Sequence, residues 1–292
     1  MSTDQPAPYG GADSGAARPS GTTPEPLTPA RVRTVHLQRC KDRGERFSML
    51  TSYDAMTAEI FDETGIEVLL VGDSAANVVL GRESTLRISL EEMIVFTSAV
   101  VRSVSRAMVV VDAPFGTYEA SPEQAVGCGV RLMKESGAHA VKVEADASMA
   151  DHVRAMVSAG IPVMAHVGFT PQSEHALGGY RIQGRGESGS QVLEDALALE
   201  AAGAFAVLLE MVPADVAAEV DQRLSVPTIG IGAGGATTGQ VLVWQDMLGL
   251  TSGRVPKFVR QYADLRATMT EAVRTYRDEV RSGEFPTDQH VY

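Results

Sequence analysis

At 292 residues the chain is long enough for one large α/β domain, and with 44% apolar residues it can bury a substantial core. Its 37 acidic residues outweigh 25 basic ones, for a formal charge of −12 with no dense Lys/Arg stripe, so nucleic acid is not an expected partner. No apolar run approaches the roughly 20 residues of a membrane span, the N-terminus lacks the pattern of a secretory signal, and Cys40 and Cys128 offer neither a disulfide framework nor metal-ligand spacing, so a cytoplasmic protein is expected.

Residues 1–28 are rich in Pro, Gly, Ala, Ser and Thr and hold almost no large aliphatics, so they are expected as a disordered tail before a single domain over 29–292. Thr28-Pro29 has the form of a helix cap with proline in the first turn, predicting an N-terminal helix through about Lys41. Strands are predicted near 47–53, 68–73, 108–113, 140–144, 163–167, 206–211, 227–232 and 241–245. Helices are predicted near 55–64, 89–105, 122–137, 148–160, 188–203 and 213–223, with a long helical region after Pro256. Ser89-Leu90-Glu91-Glu92 and Ser121-Pro122-Glu123-Gln124 have the form of capping boxes, and Ser148-Met149-Ala150-Asp151 is a weaker version. The strand runs are continuously apolar, the pattern of strands covered on both faces in a parallel sheet. Eight of them interleaved with helices favour a closed (βα)8 barrel of the TIM type. The stretch from Thr170 to Gly189 is rich in Gly, Gln and Arg and without periodicity, and is expected to be an active-site loop.

Several strands end on an ionisable side chain. Val68-Leu69-Leu70-Val71-Gly72 closes on Asp73 and Ser74, Met108-Val109-Val110-Val111 on Asp112, and Ala140-Val141 on Lys142-Val143-Glu144. Val163-Met164-Ala165 leads into His166 and Val207-Leu208-Leu209 into Glu210. In such barrels the chemistry collects at the carboxyl ends of the strands. One carboxylate there more often caps a helix or pairs with a base. Asp73, Asp112 and Glu144 together would repel one another unless a cation lay between them, and an all-oxygen site suits Mg²⁺. Lys142 and Glu144, two apart on one strand, leave the same face. Lys142 is a charge partner, an anchor for an anionic substrate or a Schiff-base former. His166 is a hydrogen-bonded core residue or a substrate contact. Burial would raise the Glu210 pKa and suit it to proton abstraction. Gly230-Ile231-Gly232-Ala233-Gly234-Gly235 satisfies GxGxxG, but it lies too late in the chain for a dinucleotide fingerprint. His139, His152 and His175 lack partners at ligand spacing and are expected at the surface.

Six motifs carry a family resemblance. They are Leu70-Val71-Gly72-Asp73-Ser74, Val141-Lys142-Val143-Glu144, His166-Val167-Gly168-Phe169-Thr170-Pro171-Gln172-Ser173, Gly178-Gly179-Tyr180-Arg181-Ile182-Gln183-Gly184-Arg185-Gly186, Leu209-Glu210-Met211-Val212-Pro213 and Gly230-Ile231-Gly232-Ala233-Gly234. In this order, from about Val35 to the C-terminus, they resemble the ketopantoate hydroxymethyltransferase family. The tail before Thr28 departs from the pattern without touching a motif.

The resemblance implies a barrel of the phosphoenolpyruvate mutase/isocitrate lyase kind, with an N-terminal helix and C-terminal helices. It implies transfer of a hydroxymethyl group from 5,10-methylenetetrahydrofolate to 3-methyl-2-oxobutanoate, giving 2-dehydropantoate on the route to pantothenate. Carried over by motif, Asp73, Asp112 and Glu144 resemble ligands of one Mg²⁺ per subunit. Asp73, Ser74, Asp112, Lys142 and His166 resemble keto-acid contacts, and Glu210 resembles the proton acceptor. A homo-oligomer, typically a decamer, is also implied. The residues alone leave open another 2-oxo-acid lyase or mutase on the same barrel, or a non-catalytic metabolite-binding barrel. The lack of a cysteine-bearing catalytic loop like that of isocitrate lyases weighs against the first.

Overall fold

Branched and apolar runs too short for helices form the strands. The purest is Met-Val-Val-Val-Asp at Met108–Asp112, in which every residue is buried. The computed structural model of the chain describes residues 29–179, 181–253 and 255–292. The tail expected over 1–28 lies outside them. Eight strands run in order around a closed barrel: β1 (Phe47–Thr51), β2 (Val68–Val71), β3 (Met108–Asp112), β4 (Ala140–Glu144), β5 (Val163–Gly168), β6 (Ala206–Glu210), β7 (Thr228–Ile231) and β8 (Gly239–Leu242). Each is parallel to its neighbours, and β8 pairs with β1 to close the ring.

Helix α1 (Thr34–Arg43) precedes the barrel. The turn α3 (Ala75–Val78) lies between β2 and α4. Helices α2 (Ala55–Glu63), α4 (Leu90–Arg102), α5 (Pro122–Ser136) and α6 (Ala150–Ser158) follow β1 to β4. After β5 come the turn α7 (Glu174–Leu177) and α8 (Gly189–Ala201), and after β6 comes α9 (Ala214–Arg223). Residues 232–238 join β7 to β8 directly, the turn α10 (Trp244–Met247) follows β8, and α11 (Leu265–Ser282) ends the helical part. No residue of α11 is buried.

Period-two alternation sorts the core into two layers. Met49, Val68, Leu70, Met108, Val110, Ala140, Met164, Ala206, Leu208, Ile229 and Val241 pack together inside the barrel. Leu69, Val71, Val109, Val111, Val141, Val163, Val207 and Leu209 face out against the helices.

The caps refine the predicted starts. Ser89 and Glu92 form the full reciprocal box, at 3.1 and 2.8 Å. Ser121 caps α5 through the Gln124 N–H, but the Gln124 side chain reaches back one residue further, to the N–H of Ala120. Ser148 is not the cap of α6. Asp146 accepts from the Ser148 N–H at 2.8 Å and nucleates a 3₁₀ turn, Ala147–Met149, ahead of the helix. Thr28-Pro29 does not start α1, which begins at Thr34. The Val32 N–H donates to the Arg106 carbonyl at 2.7 Å and holds that segment against the start of β3. Two histidines expected at the surface are not there. His139 is half-buried and accepts from the Val109 N–H at 2.8 Å, and both ring nitrogens of His152 are buried. His175 is exposed as expected.

Candidate active site

The inward column of each strand continues into the ionisable residues. Met108 and Val110 lead to Asp112, Ala140 to Lys142 and Glu144, Met164 to His166, and Ala206 and Leu208 to Glu210. Strand register then sets them side by side. Asp112 pairs with Lys142, Glu144 with His166, and Gly168 with Glu210. The outcome is one polar row across four strands. Asp112 Oδ1 lies 3.1 Å from Lys142 Nζ, Lys142 Nζ 3.2 Å from His166 Nδ1, and His166 Nε2 3.4 Å from Glu210 Oε2.

Asp73 lies one residue beyond the end of its column, because β2 stops at Val71 and the chain turns at Gly72 into α3. Its backbone N–H donates to Asp112 Oδ2 at 3.0 Å. A Cβ on Gly72 would lie 2.9 Å from Ser74 Oγ, so glycine there leaves room for the Ser74 hydroxyl. Ser74 shares a 2.8 Å hydrogen bond with Tyr53, which is buried at the end of β1. The structure therefore gathers Asp73, Ser74, Asp112, Lys142, Glu144, His166 and Glu210 at the C-terminal mouth of one barrel.

Lys142 donates to His166 Nδ1, since an ammonium has only protons to offer; the ring proton therefore sits on Nε2 and faces Glu210. Burial and the Lys142 charge push the His166 pKa well down, so the ring is neutral. Burial also works to lower the Lys142 pKa, but the charges of Asp112, Asp73 and Glu144 overcome it and the group is held cationic. Burial raises Asp112, with Asp73 adding to the shift and Lys142 opposing it. Burial and the Asp73 charge raise Glu144 well above its ordinary range. Glu210 is raised to about 7 by burial, against Lys142. Its side chain keeps 17% exposure, the opening through which a substrate could reach it.

Among the described residues no three His, Cys, Asp or Glu side chains are already gathered into a metal cage. The donor set nevertheless suits a hard cation. Asp112 Oδ1 faces the Lys142 ammonium, and Glu144 Oε1 is buried without a hydrogen-bond partner among the described residues. Magnesium uses few protein carboxylates and keeps several waters, so a ready-made cage is not required.

Three residues outside the predicted set belong to this mouth. Tyr53, Tyr118 and Gln172 are all buried beside it. Gln172 lies in a quoted motif, and Tyr118 follows a Gly-Thr turn after β3, but neither is charged and neither stands at a strand end. The loop after β5 reaches the rim where expected, since the Gln183 N–H donates to the Met211 carbonyl at 3.0 Å. Met211, next to Glu210, takes φ 49. The glycines of 230–235 serve packing: a Cβ on Gly232 would lie 2.7 Å from Phe258, and one on Gly234 2.6 Å from Ala214.

Known proteins resemble this chain in fold and in sequence. Solved structures of a phosphonopyruvate hydrolase with oxalate and Mg and of a 2,3-dimethylmalate lyase of the PEP mutase/isocitrate lyase superfamily superpose with TM-scores of 0.59 and 0.56, at 13% and 16% identity. The first likeness covers 89% of this chain and 92% of that one, the second 89% and 91%, and they establish the fold. The 3-methyl-2-oxobutanoate hydroxymethyltransferase of Arthrobacter sp. (strain FB24) is 59% identical, over 100% of this chain and 97% of the relative. That of Corynebacterium glutamicum is 57% identical, over 90% and 97%. The sequence pattern of ketopantoate hydroxymethyltransferase matches residues 31–288, and the chain belongs to that enzyme family.

Proposed function

We propose that this enzyme transfers a hydroxymethyl group from 5,10-methylenetetrahydrofolate to 3-methyl-2-oxobutanoate, forming 2-dehydropantoate and tetrahydrofolate. The observation that carries the reading is the row from Asp112 through Lys142 and His166 to Glu210. It sets a carboxyl of raised pKa, able to take a proton near neutrality, beside a carboxylate cluster fit for a cation. Asp73, Asp112 and Glu144 would hold one Mg²⁺ per subunit. Bound there, Mg²⁺ supplies charge stabilisation to the carboxylate and ketone oxygens of a 2-oxo acid.

Glu210 removes the C3 proton of the keto acid. The C–H electron pair becomes the C2–C3 double bond of the enolate, and the carbonyl π pair moves onto the C2 oxygen. The Lys142 ammonium and the His166 Nε2–H steady the substrate carboxylate or the developing oxyanion, and Asp73 and Ser74 orient the acid. The nucleophilic C3 then bonds to the one-carbon unit, which the folate carries as an iminium. Water then displaces the folate nitrogen from that carbon, its oxygen becoming the hydroxyl and its proton passing to the departing nitrogen, while the proton held by Glu210 goes to the second folate nitrogen, and tetrahydrofolate leaves. The 170–189 loop, pinned to Met211 through Gln183, is the place we assign to the folate.

The test is direct. Protein, Mg²⁺, keto acid and methylenetetrahydrofolate should give 2-dehydropantoate, and EDTA should stop it. Cleavage of a 2-oxo acid without folate would point to a lyase, and keto-acid binding without turnover to a non-catalytic barrel. A homo-oligomer, for which the family resemblance implies a decamer, is supported by the exposed stripe Met269, Val273, Tyr276 and Val280 on α11. A cytoplasmic location agrees with the absence, among the described residues, of any helix long and apolar enough to cross a membrane.

A further inference from the structure

Gln172 directs its backbone N–H and both polar atoms of its side chain to the carboxylate cluster and its support. It stands in the 3₁₀ turn Pro171–Ser173 just after β5 and is buried. Its backbone N–H donates to Glu144 Oε2 at 2.9 Å. Its amide nitrogen donates to Asp73 Oδ2 at 2.9 Å and to the Ala113 carbonyl at 3.0 Å. Its amide oxygen accepts from the Tyr118 hydroxyl at 2.9 Å. Both partners of the nitrogen are pure acceptors, so the orientation of the amide is forced by chemistry. Tyr118 in turn accepts from the Glu144 N–H at 3.2 Å. One residue thus ties the ends of β2, β3 and β4 to the loop after β5.

That orientation is the reverse of a metal ligand's. The amide presents its N–H groups to the carboxylates and turns its only lone-pair oxygen away, toward Tyr118. We propose that Gln172, backed by Tyr118, is the positioning residue that holds Asp73 and Glu144 as cation ligands without itself touching the cation. One oxygen of each carboxylate is occupied by Gln172, while Glu144 Oε1 is left without a hydrogen-bond partner among the described residues. Partners of this kind fix the direction and charge of metal ligands, and losing one typically weakens metal binding by about 10–100-fold. The proposal rests on the metal reading given above.

Gln172→Met keeps the length and buried volume and retains the backbone bond to Glu144, but it releases Asp73. Tyr118→Phe keeps the ring and removes the hydroxyl behind the amide. Mg²⁺ alone is titrated calorimetrically into the full-length protein, and the thermal midpoint is measured without metal. Gln172→Met should bind Mg²⁺ about 10–100-fold more weakly at temperatures where the metal-free variant is still fully folded, its midpoint lowered by the lost bonds to Tyr118 and Ala113. Tyr118→Phe should lose less. The double variant should lose less than the sum of the two single losses, because Tyr118 acts in part through Gln172 and in part through its own bonds to the Glu144 backbone. Wild-type affinity in both single variants, additive losses in the double, or a loss of affinity confined to temperatures where the metal-free variant is partly unfolded would each overturn the proposal. If Gln172→Met does not fold, Tyr118→Phe decides alone, with unchanged affinity counting against it. Failure of the wild type to bind Mg²⁺ would sink the metal reading instead.

Discussion

Replacing Glu210 by Gln keeps its shape and removes its ability to take a proton. A carboxyl near pKa 7 is a stronger base than an ordinary glutamate near about 4.3, which is what burial at this rim achieves. A positioned general base contributes about 10²–10⁴-fold, or about 2.7–5.4 kcal/mol of barrier. The structure narrows that range. The nearest substitute is His166, but Lys142 occupies Nδ1, so the ring offers a proton at Nε2 where Glu210 offered a lone pair. The loss should therefore fall in the upper half of the range, about 10³-fold or more. The assay needs no folate: enzyme, Mg²⁺ and 3-methyl-2-oxobutanoate in deuterated water, with loss of the C3 proton followed by NMR. The wild-type rate should rise about tenfold per pH unit up to about pH 7 and then flatten, because only the ionised carboxylate accepts a proton. The Gln variant should show no such limb. Exchange at the wild-type rate in Glu210→Gln would refute the assignment and move the base to His166 or to a hydroxide at the cation.

Asp112→Asn removes one charge at constant size, and Mg²⁺ affinity measured calorimetrically with keto acid present should fall at least about tenfold; unchanged affinity would remove Asp112 from the cation site. Gly168→Ala should destabilise the protein by about 1–3 kcal/mol in denaturant melts and slow C3 exchange. Its φ is +93, and the added Cβ would lie 2.5 Å from the Glu210 carbonyl; a silent variant would show that this close approach is dispensable. Val273→Glu places a charge in the middle of the α11 stripe and should lower the particle mass by light scattering without lowering barrel stability. An unchanged mass would place the subunit contacts elsewhere.

The barrel was legible because its strands read as unbroken apolar runs, a pattern that water-facing strands do not show. Period two was enough to place Lys142 and Glu144 on one face, and the register then set Asp112 and His166 beside them. Local rules failed where a stronger partner intervened. Asp146 caps a 3₁₀ turn that takes up Ser148, so α6 starts behind it without a side-chain cap, and the Val32 bond to Arg106 holds the segment before α1. His139 and His152 carry no local sign of their burial, since the covering elements are distant in sequence. Gln172 stands in the His166–Ser173 motif with no sequence sign of a role, because its partner Asp73 is 99 positions away and an uncharged amide gives no electrostatic signal.

Several carboxyls at this mouth have raised pKa values, yet the causes differ, and the difference separates their roles. Asp112 and Glu144 are raised by burial and by the like charge of Asp73, so a cation bound among them would relieve the repulsion and restore both as anions. Glu210 is raised by burial alone, with Lys142 opposing, and no like charge contributes to its shift. It stands at the far end of the row, with His166 between it and Lys142. A cation among the first group would therefore leave much of its basicity intact. On the proposed reading, one barrel rim would thus carry carboxyls that a metal returns to their ionised form and, three strands from Asp112, a carboxyl poised to exchange a proton near neutrality.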